Sequence, residues 1–207
     1  MIHGNASPAA AGRQPLPRAR CAPLSPCALT APVTAAEATI GADQAVTYTC
    51  YPNTSSAFTV TLGTVVNNQV TTTLADGTPI PGGFVAQSDP PFYPNVTSGL
   101  LVQSFTNGTT GKTIVRNVSG PTWFTYDPTP TVPGALATGT YVSTGTTAQL
   151  FGPLSEAALG AAGIHEPTLI FVSGLLVMHF VIAQSGAYVT SFSLNGTRRN
   201  GCALLSG

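Results

Sequence analysis

The side chains best suited to hold a ligand in this sequence are aromatic. Trp123, Phe124 and Tyr126 fall on one predicted strand, so Trp123 points to one face of the sheet and the other two rings to the opposite face. Phe92 and Tyr93 lie in a proline-rich loop. Exposed rings of this kind can stack on a sugar or hold another apolar ligand, whereas buried rings only fill the core. We predict ligand binding by Phe92, Tyr93, Trp123 and Tyr126, with core packing as the competing interpretation, above all for Trp123.

Two further candidates lie on the most apolar part of the chain. His179 and Tyr188 supply an imidazole and a phenol within residues 168–194. In a barrel that encloses a small apolar ligand they are the first polar groups to test, and such a barrel would suit a cyclase or isomerase. A lone histidine in an apolar run is more often a hydrogen-bonded core residue, which is the competing interpretation of His179.

Other catalytic arrangements find little support. The sequence contains no Gly-x-Ser-x-Gly elbow and no phosphate-binding loop. A glycosidase needs paired carboxylates, but each of the three aspartates after residue 45 is followed by glycine or proline, as in turns and loops, and the two glutamates have no motif around them. These five are Asp76, Asp89, Asp127, Glu156 and Glu166. We therefore predict no catalytic residues, no cofactor and no metal site, and we disfavour a glycoside hydrolase.

The four cysteines fit no zinc pattern. Cys50 lies on the first predicted strand and Cys202 almost at the end of the sequence. A disulfide between them would tie the first strand to the last, and in the chain-entropy model so long a loop is worth about 5 kcal/mol. We predict this bridge, with Cys21 and Cys27 as a local pair or as free thiols.

The composition narrows the choice of partners. Charged residues make up only 7% of the 207 residues, and the formal net charge is zero. Because nucleic-acid binding requires lysine or arginine to neutralise phosphates, we predict no nucleic-acid partner. Threonine, which favours strands, is the dominant polar residue. The sequence also holds six Asn-x-Ser/Thr sequons, which indicate either N-glycosylation or ordinary turn chemistry.

Residues 168–194 form the apolar centre of the sequence. The uncharged run is shorter than the roughly 20 residues of a transmembrane helix, so we predict no membrane span. Its β-branched residues favour strands, and Gly174 suits a bend between them. Residues 187–194 alternate with period two, and Gln184-Ser185-Gly186 supplies a turn. We predict core strands that end in a hairpin.

The rest of the chain is predicted to cover that hairpin. Residues 1–41 are rich in alanine and proline and are predicted to be disordered; we interpret them as a mis-assigned start or a remnant of an export region. Residues 42–207 are predicted to form a single all-β domain. Turn signals divide it into about nine or ten strands, including a hairpin at Asn67-Asn68, and one short helix is predicted over 153–162. This pattern indicates an antiparallel sandwich or barrel and does not distinguish between them.

Part of the sequence resembles a known group of proteins. The run from Thr113 to Tyr126, the strand-turn-strand of 175–194 and the segment Cys202-Ala-Leu-Leu205 look like secreted all-β proteins of actinomycetes. The resemblance covers about the C-terminal half of the chain. It implies export and a cysteine near the C-terminus, and it implies no activity.

These observations lead to a first expectation about function. We expect a secreted or cell-surface β-domain without catalysis that acts as a binding or structural module. Its partners would be a glycan, a cell-wall polymer or further copies of itself. The alternative is a barrel that binds a small apolar ligand. Exposed apolar faces from 168–183 would favour self-association.

Overall fold

The computed structural model describes residues 46–52, 54–88, 91–165 and 169–207. The predicted all-β antiparallel class is confirmed: nine strands form one large curled sheet, a half-barrel, and two more form a small ribbon. The predicted tail and the Cys21–Cys27 pair lie outside the described residues, and the domain boundary near residue 42 stays a prediction. The strands are β1 Val46–Cys50, β2 Phe58–Thr73, β3 Pro79–Ile80, β4 Phe84–Val85, β5 Asn95–Asn107, β6 Thr113–Asn117, β7 Thr122–Tyr126, β8 Ala137–Ser143, β9 Thr146–Leu150, β10 Leu169–Ala183 and β11 Gly186–Asn200.

The strand order of the large sheet is β1-β2-β5-β7-β8-β10-β11. Two short strands lie outside this path, because β6 continues the line of β7 along β5, and β9 continues the line of β8 along β10. While β7 pairs with β8, no pairing joins β6 to β9 within the described part of the chain. The sheet is therefore continuous at one end and forks at the other.

At its forked end the sheet divides into two parts, which we call prongs: one consists of β1, β2, β5 and β6, and the other of β9, β10 and β11. The two prongs overlap. We define the front face of the sheet as the side that carries Val142, Val177 and His179, and the back face as the opposite side. Phe105 on β5 belongs to the back face and Phe171 on β10 to the front face, yet their rings meet edge to face with centroids 4.9 Å apart. The back of the β1-β2-β5-β6 prong therefore covers the front of the β9-β10-β11 prong.

A disulfide closes the core between the prongs. The predicted Cys50–Cys202 bridge is present, with a Cα–Cα distance of 5.6 Å. Cys202 belongs to the helix α2, Gly201–Ser206, which packs on β5 and β10. The side-chain amide of the buried Asn107 donates from Nδ2 to the carbonyl of Leu205 over 3.1 Å, so α2 is held by hydrogen bonding as well as by the disulfide. The remaining buried side chains of this core are Phe58, Val60, Leu169 and Leu205.

A second core lies behind β10. Ile170, Val172, Leu176 and Met178 point to the back face and are covered by the helix α1, Glu156–Ala161, through Leu159. A short 3-10 turn at Pro153–Ser155 precedes α1. The helix predicted over 153–162 is thus present. The apolar side chains of residues 169–183 are largely covered, and they do not form the exposed surface that would favour self-association.

Two local features differ from the sequence-based expectation. The predicted turn at Asn67-Asn68 is wrong: β2 runs unbroken through it, because both asparagines are paired with β5 and the only irregularity is a bulge between Thr64 and Val66. The helix α2 was not predicted. Its signal was the N-cap residue Asn200, whose Oδ1 accepts from the Ala203 amide over 3.0 Å. Among the described residues, no helix is both long and apolar enough to cross a membrane.

The buried phenol of Tyr141 gives the second core an expected pH dependence. Burial raises the pKa of Tyr141 above 10.0, against a weaker lowering by its hydrogen bond with Gln149. The unfolded state therefore loses this proton first. Stability contributed by the protonated phenol is fully present below about pH 10 and declines as pH rises toward the folded-state pKa, by at most about 1.4 kcal/mol per pH unit.

Urea unfolding between pH 8 and pH 11.5 measures this decline. We expect Tyr141→Phe to unfold with a shallower alkaline slope than the wild type, and the remaining slope to include Tyr48 and Tyr126, whose pKa values burial also raises. Equal slopes in the two proteins would contradict the assignment to Tyr141.

Candidate functional site

A small open pocket of about 230 Å³ lies on the front face, at the continuous end of the sheet. The loop after β7 forms one wall, β8 and β10 form the floor, and β11 forms the far side. Most of the side chains around it are polar. The lining residues are Asp127, Thr131, Val132, Thr138, Gly139, His179, Phe180, Val181, Thr190 and Ser191.

Strand geometry explains how hydroxyl groups come to converge there. His179 on β10 lies directly opposite Thr140 on β8 and opposite Ser191 on β11. A bulge between His179 and Phe180 changes the register with β11. Because a bulge places two residues of one strand against one of the other, both Thr190 and Ser191 reach the pocket.

Hydrogen bonds hold Asp127 in the wall that the loop after β7 forms. The hydroxyl of Thr138 donates a hydrogen bond to Oδ2 of Asp127. The backbone amide of Thr131 donates to the same hydroxyl over 3.0 Å. Thr138 is buried while Asp127 is only partly so. The carboxylate is therefore fixed in direction, and its second oxygen is left for a ligand.

The imidazole of His179 is also oriented. Its Nδ1 lies 3.1 Å from Oγ1 of Thr140, and the ring of Phe84 meets it edge-on with centroids 6.4 Å apart. With Nδ1 engaged, Nε2 is the nitrogen that remains for a ligand. The competing interpretation of His179 as a core residue does not fit the structure, because its side chain is exposed on the front face. The apolar neighbours in sequence point to the back face instead.

The aromatic candidates divide between the two faces. The rings of Phe92 and Tyr126 are stacked with centroids 5.3 Å apart, and Tyr126 meets Phe180 edge-on at 5.7 Å. Phe180 is among the residues around the pocket, but its ring lies with those of Phe124 and Tyr126 on the back face, so this row of rings and the pocket lie on opposite sides of the sheet. Trp123 is directly opposite Val142 and lies on the front face, as predicted from strand alternation.

The remaining candidates lie outside the row and the pocket. Tyr93 is 53% exposed next to Phe92. Tyr188 is half-buried opposite Val181 and does not line the pocket. Asp76 stands in the turn before β3. The structure thus brings together Phe92 and Tyr126 on the back face, places His179 at the pocket on the front face, and separates the other candidates from both.

Sequence reasoning missed most of the pocket. The sequence indicates only a turn role for Asp127, because proline follows it, and it does not single out Thr138, Thr140, Thr190 or Ser191. The signal available for two of them was the spacing Thr138-Gly139-Thr140, which puts two hydroxyls on one face of a strand. No signal indicated the bulge that brings Thr190 and Ser191 together.

The arrangement can bind polyhydroxylated molecules. A carboxylate accepts hydrogen bonds, an imidazole and several hydroxyls can both donate and accept, and the threonine methyl groups with Val132 and Val181 supply apolar surface. Asp127 is the one carboxylate among the lining residues, and the described residues contain no group of three or more His, Cys, Asp or Glu that could hold a metal ion. No protein-family model, no curated protein and no solved structure matches the chain, so the geometry of this pocket carries the functional argument.

Proposed function

We propose that this protein is a secreted or cell-surface binding module that recognises a glycan, or the end of a cell-wall polymer, without catalysis. The observation that carries the proposal is the oriented set of Asp127, His179 and their threonine partners around one open pocket. Both polar groups are held by hydrogen bonds before any ligand arrives. Such preorganisation lowers the cost of binding.

The character of the pocket favours a sugar over a small apolar ligand. An apolar ligand would bind best in an enclosed cavity lined by aliphatic and aromatic groups. This pocket is open, and six of its ten lining residues carry polar side chains. The threonine methyl groups, Val132 and Val181 add apolar surface among these polar groups, which suits the mixed surface of a sugar ring better than a hydrocarbon.

The carboxylate count argues against glycoside hydrolysis at this site. Retaining and inverting glycosidases both use two carboxyl groups within about 10 Å of each other. Asp127 has no second carboxylate beside it among the residues that line the pocket, and its Oδ2 is already engaged by Thr138. A binding role needs only one such group.

The proposed compartment has independent support. The Cys50–Cys202 disulfide is typical of proteins that fold in oxidising surroundings. The resemblance of the C-terminal half to secreted actinomycete proteins points the same way. A nearly uncharged exterior suits a neutral polymer as partner, because neither surface must release strongly bound counterions.

NMR titration with a panel of neutral and amino-sugar oligosaccharides tests the proposal on the full chain. We expect shifts at the amides of residues 127, 138, 179 and 190, and an affinity that Asp127→Asn weakens by at least about tenfold, since hydrogen bonds to charged groups contribute about 1.5–3 kcal/mol. Asp76→Asn, a carboxylate outside the pocket, is the matched control and should bind like the wild type.

Two results would overturn the proposal. One is that no oligosaccharide shifts the pocket amides; the other is that Asp76→Asn weakens binding as much as Asp127→Asn. Because Asp127→Asn also disturbs the bond to Thr138, thermal unfolding of each variant shows whether lost affinity reflects a lost fold. Ser191→Ala, which removes a pocket hydroxyl with no hydrogen bond to the loop, provides a second variant.

A further inference from the structure

Most of the hydroxyl groups that line the pocket give their protons to the protein itself. A threonine hydroxyl carries one proton to donate and two lone pairs to accept. Thr138 donates to Oδ2 of Asp127, and Thr131 donates to Oγ1 of Thr138 over 3.3 Å. On the far side of the pocket, Thr190 donates to the backbone carbonyl of His179 over 3.3 Å. Three of the four hydroxyls in the lining are therefore already used as donors.

The side chains that remain for a ligand are mainly acceptors. Oδ1 of Asp127 is left to accept, and so are the lone pairs on Oγ1 of Thr131 and of Thr190, because these two hydroxyls engage only their protons within the described part of the chain. Thr138 accepts from both the backbone amide and the hydroxyl of Thr131, so its own lone pairs serve the wall of the pocket. A ligand group with several donors and no acceptor fits this arrangement best.

The carboxylate of Asp127 has no countercharge from the lysine and arginine side chains that the structure describes. Lys112 and Arg198 donate to backbone carbonyls beside the ends of α2 and α1. Arg116 lies over an aromatic ring in the core between the prongs. Arg199 lies on β11 about 26 Å from the part of that strand that lines the pocket. The carboxylate charge at the pocket is therefore left for a cationic ligand to balance.

A primary ammonium group matches both properties of the pocket. It carries three N–H donors, no acceptor and one positive charge, and its hydrogen bonds to a carboxylate are roughly twice as strong as neutral ones. A sugar hydroxyl or an acetylated nitrogen brings one donor together with acceptor lone pairs, which find fewer partners here. We infer that the pocket binds a primary ammonium group and thereby selects an amino sugar whose nitrogen is free rather than acetylated; the choice of sugar rests on the glycan binding proposed above.

The size of the pocket limits this requirement to one sugar. Its volume of about 230 Å³ lies below the roughly 300–1,000 Å³ of sites that hold drug-sized ligands, so it has room for about one sugar ring. One ammonium group on that ring balances the charge of Asp127, and the rest of a polymer can remain neutral. A nearly uncharged exterior and a charged pocket can therefore serve the same polymer.

NMR titration of the full chain at pH 7 with the trisaccharides of glucosamine and of N-acetylglucosamine tests this inference, because the two ligands differ only at nitrogen. We expect the glucosamine trisaccharide to bind at least about tenfold more tightly, and Asp127→Asn to bring the ratio of the two dissociation constants close to one. Asp76→Asn is the matched control and should keep the wild-type ratio. Thr190→Val removes an acceptor without touching Asp127 and should lower the ratio at least about threefold.

Cyclohexylammonium and cyclohexanol, titrated in the same way, separate the ammonium site from glycan binding. Shifts of the pocket amides with cyclohexylammonium alone, and with neither trisaccharide, would keep the ammonium site and refute glycan binding. Equal or tighter binding of the acetylated trisaccharide would overturn the ammonium site and leave glycan binding intact. Loss of the preference in Asp76→Asn as complete as in Asp127→Asn would also overturn the ammonium site, and a wild type whose pocket amides respond to none of the four compounds would overturn both.

Discussion

The double variant Cys50→Ala/Cys202→Ala is expected to lose about 5 kcal/mol of unfolding free energy, which is the chain-entropy value for so long a loop. The two cysteines are separated by 152 residues, and the loop they close contains nearly the whole β-structure. Since small domains are stable by about 5–15 kcal/mol in total, this one bond accounts for a large share. Equilibrium unfolding in urea without reductant measures the difference between variant and wild type.

Because the disulfide is buried, a reductant can act on it only when the protein unfolds. Both sulfur-bearing residues are fully buried, so a thiol reagent reaches the bond only after unfolding. We expect dithiothreitol to lower the stability of the wild type toward that of the variant and to leave the variant unchanged. A wild-type advantage below about 1 kcal/mol would contradict the entropic account and would indicate that the reduced chain keeps residual structure.

The sequence was informative wherever a local rule decides the structure. Period-two alternation and the turn at Gln184-Ser185-Gly186 predicted the β10-β11 hairpin, which is confirmed. The positions of Cys50 and Cys202 near the ends of the domain predicted the disulfide, also confirmed. The opposite directions of Trp123 and Tyr126 followed from strand geometry alone.

The sequence was uninformative where contacts between distant strands decide the structure. Asn67-Asn68 has the composition of a turn, yet pairing with β5 keeps the segment extended. The pocket depends on a bulge beside His179 and on which strands neighbour β10, neither of which is encoded locally. For the same reason, the choice between sandwich and barrel stayed open: a forked sheet combines a single curled layer at one end with two overlapping layers at the other.

Gly174 shows how a local signal can be correct and its interpretation incomplete. The sequence suggested a bend between two strands at this glycine, but β10 runs through it without a break. Its φ of +131° is one that side chains rarely adopt, and a Cβ there would lie 2.3 Å from the carbonyl oxygen of Asn195 on β11. The cross-strand partner Gly196 is equally confined, since its Cβ would lie 2.1 Å from the carbonyl oxygen of Ser173.

The position of this glycine pair explains the confinement. The amide of Gly174 donates to the carbonyl of Gly145 between β8 and β9 over 2.9 Å, at the point where the sheet begins to fork. The sheet must change direction here while β10 and β11 stay paired. Two backbones can approach closely enough only where neither carries a side chain.

Gly174→Ala is therefore expected to destabilise the protein by about 3 kcal/mol, from the strained φ together with the collision with backbone atoms that have no room to move. Gly160→Ala is the matched control: Gly160 lies in α1 with open space around its Cα, so the same added methyl should stabilise the helix by about 0.5–1 kcal/mol. Urea unfolding of the two variants gives opposite signs if the fork requires the glycine. Equal small effects would mean that β10 can shift away from β11 at this point, and the overlap of the two prongs would then need another cause.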